Sequence, residues 1–190
     1  MMKNYEYYQA QVEKGKIFKS KKILKLADKY GYTVAHYQAS EGWTTEDPEI
    51  LKLATENAWT VAHNQAYRGW TTNNPEILKL ANKWGITVAH NQASEGWTTE
   101  DPEILKLANG IGSTVAHEQT SRGWRTEDPE ILKLADVNGV TVEKIQRDRG
   151  WKPKREETSC DSLLSTVETL LVKVNKDVEK LYKIKQILRG

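Results

Sequence analysis

Thr87-Val88-Ala89-His90-Asn91-Gln92-Ala93-Ser94-Glu95-Gly96-Trp97-Thr98-Thr99-Glu100-Asp101-Pro102-Glu103-Ile104-Leu105-Lys106-Leu107-Ala108 is one copy of a unit that recurs every 27 residues. Pro48, Pro75, Pro102 and Pro129 keep that step, as do Trp43, Trp70, Trp97, Trp124 and Trp151. His36, His63, His90 and His117 follow it, and Lys144 takes the fifth place. A period of this length means stacked structural units, none of which can bury its own apolar face alone. The high tryptophan content, seven in 190 residues, follows from copying rather than from one tryptophan-rich site.

The register extends upstream. Gln11 and Gly15 stand 27 residues before Gln38 and Gly42, and Ile23–Ala27 matches Ile50–Ala54. Residues 5–28 are therefore expected to form a degenerate first copy that caps the array with one wet face. Downstream, Lys152-Pro153-Lys154-Arg155 stands where Pro-Glu-Ile-Leu should follow Trp151, so the array stops at Trp151.

Each copy predicts two short helices. Proline disfavours helical dihedrals in the residue before it, so Asp47 suits the N-cap and Pro48 the first turn of a helix over Pro48–Thr55. The other helix runs from Thr60 to about Arg68 and ends at Gly69, a left-handed cap. Helices this short are unstable alone, and stacking must supply their stability. Leu107, in a central copy, is expected in the core.

At Gly85-Ile86-Thr87-Val88-Ala89-His90, with Ala93 and Gly96 following, the unit resembles the ankyrin repeat, whose helix opener is G-x-T-P-L-H. The resemblance covers residues 6–151. It implies an all-α solenoid of helix-loop-helix units, a histidine bonded to backbone and to the threonine hydroxyl at the helix start, and partner binding through turn tips and one helix face. Two departures stand out: residues Thr98–Asp101 lengthen the inter-helix loop, and the turn at Thr55–Trp59 is too short for a long hairpin finger.

Residues 159–189 follow another rule, beyond a basic linker at 152–158. Leu163, Val167, Leu170, Val174, Asp177, Leu181, Ile184 and Leu188 alternate by four and three, a heptad seam with one polar slot. Leu164, Leu171 and Val178 widen the stripe. This predicts one long amphipathic C-terminal helix of coiled-coil type. Its first half is expected to cover the last solenoid helix. Its second half, Val178, Leu181, Ile184, Ile187 and Leu188, would join two chains as a homodimer; the alternative is a helix folded back along its own solenoid in a monomer.

The formal charge of +2 hides a segregation. Residues 1–43 carry +4, residues 44–143 carry −7, and residues 144–190 carry +5. An acidic middle argues against a nucleic-acid stripe along the whole array. The basic ends (Lys14, Lys16, Lys19 and Lys21 at one, Arg147, Arg149, Lys152 and Lys154 at the other) leave a nucleic-acid-binding repeat protein as the alternative. No apolar run could span a membrane, and no signal peptide opens the chain, so a cytoplasmic protein is expected. The single Cys160 excludes an internal disulfide.

Catalytic chemistry finds no footing. There is no glycine-rich phosphate loop, no metal-ligand cluster and no nucleophile–base pair, so no enzyme, cofactor or metal is expected. One histidine per copy with no second ligand at helical spacing reads as a structural group. The five invariant tryptophans read as wedges between copies, the Glu-Asp-Pro-Glu carboxylates as helix-start groups on a solvated ridge, and the Gln38, Gln65, Gln92, Gln119 and Gln146 series as an inter-repeat hydrogen-bond ladder. What varies between copies is the better guide to binding. Tyr30, Tyr32, Tyr37, Trp59, Tyr67 and Trp84 are large aromatics at positions the unit leaves free, and such residues anchor interfaces. The expected function is a non-enzymatic protein–protein interaction scaffold. Near-identical copies indicate recent duplication, which fits fast-evolving recognition proteins such as host effectors or phage counter-defence factors.

Overall fold

The structure, a computed structural model, describes residues 4–151 and 160–187. These residues form twelve α-helices and no β-strand. The chain divides into two units, one ending at Trp151 and one beginning at Lys152. The linker over 152–158 and Leu188 of the heptad seam lie outside the described residues.

The first unit is a solenoid. The longer helices α3 (Val34–Ser40), α5 (Val61–Tyr67), α7 (Val88–Ser94), α9 (Val115–Ser121) and α11 (Val142–Asp148) stack in sequence, each against the next. Between them lie the short helices α4 (Pro48–Leu51), α6 (Pro75–Leu78), α8 (Pro102–Leu105) and α10 (Pro129–Leu132). The upstream copy supplies α1 (Tyr5–Val12) and α2 (Lys21–Leu24). It closes the end with Tyr5, Val12 and Phe18 packed on Val34.

Local chemistry sets the helix ends. Thr60 accepts a hydrogen bond from the His63 N–H, and the His63 ring reaches back to the Thr60 N–H. The same reciprocal box opens α3, α7 and α9. Gly69 follows α5 with φ +85°, the left-handed turn expected there. Asp47, Asn74, Asp101 and Asp128 cap the proline-led helices.

Those helices are shorter than the sequence pattern predicts: α4 is one turn, ending at Leu51 rather than Thr55. Leu53 and Thr55 give their backbone groups to the turn that follows. Val61 N–H donates to Leu53 C=O at 3.1 Å, and Thr55 N–H donates to Trp59 C=O at 3.0 Å. An antiparallel bridge joins Ala54 to Thr60, and its equivalents recur from Ala27–Thr33 to Ala135–Thr141. Leu107 consequently sits at the core's edge, only partly buried, whereas Ile104 and Leu105 are the fully buried pair.

Beyond the N-terminal cluster, each core cluster draws on three successive copies. One joins Leu51 to Ala62, Ala66 and Ile77 and then to Val88, with Trp70 and Leu80 at its edge. The neighbouring clusters repeat this with Trp43, Trp97 and Trp124, so these tryptophans are wedges. Trp70 Nε1–H donates to Glu46 Oε1 of the preceding copy at 2.8 Å, and Trp124 does the same to Glu100 at 3.0 Å.

The second unit contains α12, the 28-residue helix Cys160–Ile187. Its seam residues Val167, Leu170, Val174, Leu181 and Ile184 are all more than half exposed.

One residue departs from the turn's geometry. Gly31, Gly85, Gly112 and Gly139 hold the left-handed position before each copy's opening, at φ +72° to +77°. Ala58 occupies that place before the copy that opens at Thr60, at φ +57°. A side chain in this region costs about 1–2 kcal/mol, and glycine returns part of that as unfolded-chain entropy. Ala58→Gly is expected to raise stability by about 0.5–1 kcal/mol, read as a higher urea midpoint at unchanged m-value.

Candidate functional site

The turns that connect copies build one edge of the solenoid. Each is tied by its first residue. The Asp28 carboxylate accepts from Tyr30 N–H at 2.9 Å and Tyr32 N–H at 2.8 Å. Asn82, Asn109 and Asp136 tie their own turns in the same way. Adjacent tips then bond through their backbones. Glu56 N–H donates to Tyr30 C=O, Lys83 to Asn57, Gly110 to Trp84 and Val137 to Ile111, at 2.7–3.0 Å. The tips thus form a row with fixed spacing, and their side chains form its surface.

The histidines secure this edge from beneath. Thr33 Oγ1 lies 2.7 Å from His36 Nδ1, which also accepts from Thr33 N–H at 3.2 Å. The proton therefore sits on Nε2, which donates to Trp59 C=O of the next copy at 3.0 Å. His63, His90 and His117 reach Ile86, Ser113 and Val140 in the same way, each at 3.0 Å. Both ring nitrogens are occupied, which gives the structural role the sequence suggested. Burial holds the His36 and His63 pKa values down to about 4. Lys144 replaces histidine in the last copy of the repeat pattern.

Four of the six sequence-selected aromatics meet on the edge. Tyr30, Tyr32, Trp59 and Trp84, with Thr55, Glu56 and Asn57, line a groove of about 410 Å³. Trp84 also walls a second cavity of about 490 Å³, lined by Lys83, Ile86, Asn109, Gly110 and Ile111. Tyr30 and Trp84 are the free walls, each 56% exposed, and Ile111 and Val137 continue the apolar row.

The groove's inner walls are held by Asn64, a residue the sequence analysis does not single out. Its Oδ1 accepts from Trp59 Nε1–H, and its Nδ2 donates to Tyr32 Oη at 3.1 Å and His36 C=O at 2.9 Å. Trp59 leans over His63 and Tyr32 over His36, with ring centroids 4.9 and 5.1 Å apart. Asn91, one copy on, makes only the backbone bond, to His63 C=O at 3.3 Å, because Ile86 stands where Trp59 would. An asparagine facing two aromatics 27 residues apart was the signal available, but it required knowing the fold.

The other two aromatics lie elsewhere. Tyr37 is half-buried on the N-terminal cap, and its hydroxyl donates to Glu13 at 3.0 Å. Tyr67 is exposed at the end of α5, outside the groove. The acidic ridge is spent largely on structure. Glu49, Glu76, Glu103 and Glu130 pair with Lys25, Lys52, Lys79 and Lys106 of the preceding copies, although exposed pairs of this kind add little stability. Each glutamine of the 27-residue series grips a neighbouring loop: Gln65 accepts from Thr45 N–H at 3.2 Å and donates to Thr45 C=O at 3.4 Å. Gln92, Gln119 and Gln146 reach Thr72, Thr99 and Thr126 with their amides suitably oriented. The ladder is real.

No model of a known protein family matches the chain, and no curated protein matches it.

The histidine bridges predict an acid response. An unfolded histidine binds a proton near pH 6.5, whereas folded His36 and His63 do so only near pH 4. Their contribution is therefore complete above pH 6.5 and is lost as pH falls towards 4, up to roughly 3 kcal/mol for each. Urea midpoints measured across that window should fall with pH, and His63→Gln should flatten the slope while lowering stability at neutral pH.

Proposed function

We propose that the chain is a non-enzymatic protein-binding scaffold of ankyrin-like type, which docks its partner in the turn-tip groove formed by Tyr30, Tyr32, Trp59 and Trp84. The observation that carries this reading is the contrast between two sets of tryptophans. Trp43, Trp70, Trp97 and Trp124 recur at one position of the full copies and wedge into the core. Trp59 and Trp84 occur once each, and Trp84 stands in solvent. An exposed aromatic that the scaffold does not require, beside others held in place from behind, supports an interface anchor.

Trp84→Asn and Tyr30→Ser are expected to leave stability within about 0.5 kcal/mol, since neither holds a buried group. Asn64→Ala should cost about 1–3 kcal/mol, because it removes the partner of the Trp59 indole N–H and of the Tyr32 hydroxyl. Affinity capture with the intact chain and with the Trp84→Asn/Tyr30→Ser variant, compared by mass spectrometry, tests the reading. A partner retained equally by both would place binding elsewhere.

The C-terminal helix supports a second copy of the chain as a further partner. Val167, Leu170, Val174, Val178, Leu181 and Ile184 form an exposed stripe on α12. In a parallel, in-register pair Asp177 would face its own charge. An antiparallel pair centred between Asn175 and Lys176 sets Asp177 against Val174 of the second copy and matches Leu170 with Leu181 and Val167 with Ile184. Sedimentation of the full chain should give a dimer, and Leu181→Asp with Ile184→Asp a monomer of unchanged helicity. A wild-type monomer at high micromolar concentration would refute this.

A further inference from the structure

The groove's lining says more about its occupant than "apolar". Four aromatic rings surround a space of about 410 Å³, and the carboxylate among its lining residues is Glu56. Glu56 is exposed and has no ion-pair partner among the described residues, whereas the PEIL glutamates are paired. Tyr30 already presents its ring to positive charge: the Lys29 ammonium stands 4.9 Å from the centroid. Ring faces attract cations, most strongly where water is displaced.

Hydrogen-bond capacity then separates one cation from another. A lysine ammonium brings three donors and a guanidinium five, and each must find an acceptor when it leaves water. Thr55 Oγ1 already accepts from Trp59 N–H, Tyr30 C=O from Glu56 N–H, and Tyr32 Oη from Asn64 Nδ2, so the open side-chain acceptors of the lining are the Asn57 amide oxygen and the exposed Glu56 carboxylate, at the groove's outer side rather than among the rings. A quaternary ammonium carries charge with no donor to satisfy. The inner walls are also set beforehand, since Asn64 fixes Trp59 and Tyr32 without any ligand, and a preformed cage loses little freedom on binding.

We infer that the Tyr30–Tyr32–Trp59–Trp84 groove is an aromatic cage for a quaternary ammonium group, the trimethylated lysine side chain of a partner protein, with Glu56 supplying the counter-charge. This rests on the docking surface proposed above and names the chemistry it recognises.

The test titrates the full chain with three probes while the indole N–H resonances of Trp59 and Trp84 are followed by NMR. The probes are N-acetyl-trimethyllysine amide, the unmethylated N-acetyl-lysine amide, and the neutral isostere with a tert-butyl group in place of trimethylammonium. The trimethylated probe should bind roughly 3- to 30-fold more tightly than either of the others, the range cation–aromatic attraction supports. Glu56→Gln should weaken it several-fold with the melting temperature unchanged, and Trp84→Leu should abolish the preference over the isostere. If the isostere binds as well as the cation, the cage is overturned while the apolar docking surface stands. If no probe shifts either indole, the cage is again overturned, and capture of a partner by the intact chain but not by the Trp84→Asn/Tyr30→Ser variant shows separately whether the surface survives. Equal binding of lysine and trimethyllysine also overturns it, because simple charge attraction would then suffice.

Discussion

One hydrogen bond per copy, from histidine Nε2 to a carbonyl of the next copy, couples the array. Its strength comes from its surroundings. The imidazole is buried, so an unmade bond would leave a polar group stranded, and burial also keeps the ring neutral so that one nitrogen accepts while the other donates. The threonine hydroxyl on Nδ1 chooses which nitrogen does which. A helix cap and an inter-repeat joint therefore run through the same imidazole, and a copy cannot cap its own helix well without also presenting a donor to its neighbour. The glutamines work in the opposite direction, reaching back to the loop 20 residues earlier. Each copy is thus held from both sides by groups it does not own, which makes seven-residue helices tenable.

The ends follow from this dependence. Lys144 replaces the histidine in the last copy of the repeat pattern, and it turns to Asp148 at 2.8 Å. At the other end, Gln38 still needs a backbone to grip. It finds Phe18, the register equivalent of Thr45, accepting from Phe18 N–H at 2.7 Å. The upstream copy has lost the histidine and the tryptophan but keeps the two features its neighbour requires, an apolar face and a loop at the right height. Degeneracy here is selective, not mere decay.

Much of this was legible in the sequence because it is periodic. The step of 27 located the copies, the capped helices and the buried apolar face, and the invariance of Trp43 and its equivalents marked them as packing residues. What remained hidden depends on contacts between copies. Pro48–Thr55 reads as two helical turns by local pattern, yet Leu53 and Thr55 answer to Val61 and Trp59 across the turn. Leu107 looks as apolar as Ile104, and only the fold says which of them faces inward. Of the six aromatics chosen for their variability, four share one groove, because residues at tip positions must converge when the tips stack. Tyr37 and Tyr67, on helix positions, had no such constraint.

The groove's rigidity has the same origin as the stack's cohesion. Tyr30 and Tyr32 come from one turn, Thr55 to Trp59 from the next, and Trp84 from a third, so no wall belongs to the same copy as the wall opposite. Were the copies loosely joined, the walls would drift and a ligand would have to draw them together at an entropic cost. Instead the tips are tied by backbone bonds from Glu56 to Tyr30 and from Lys83 to Asn57, and the His36 ring fixes the Trp59 carbonyl beneath them. The bonds that let short helices stack also set the width of the site. The variable aromatics need no packing of their own to be well placed: the invariant residues of the unit supply the positions, and the tips are free to change chemistry without disturbing the frame.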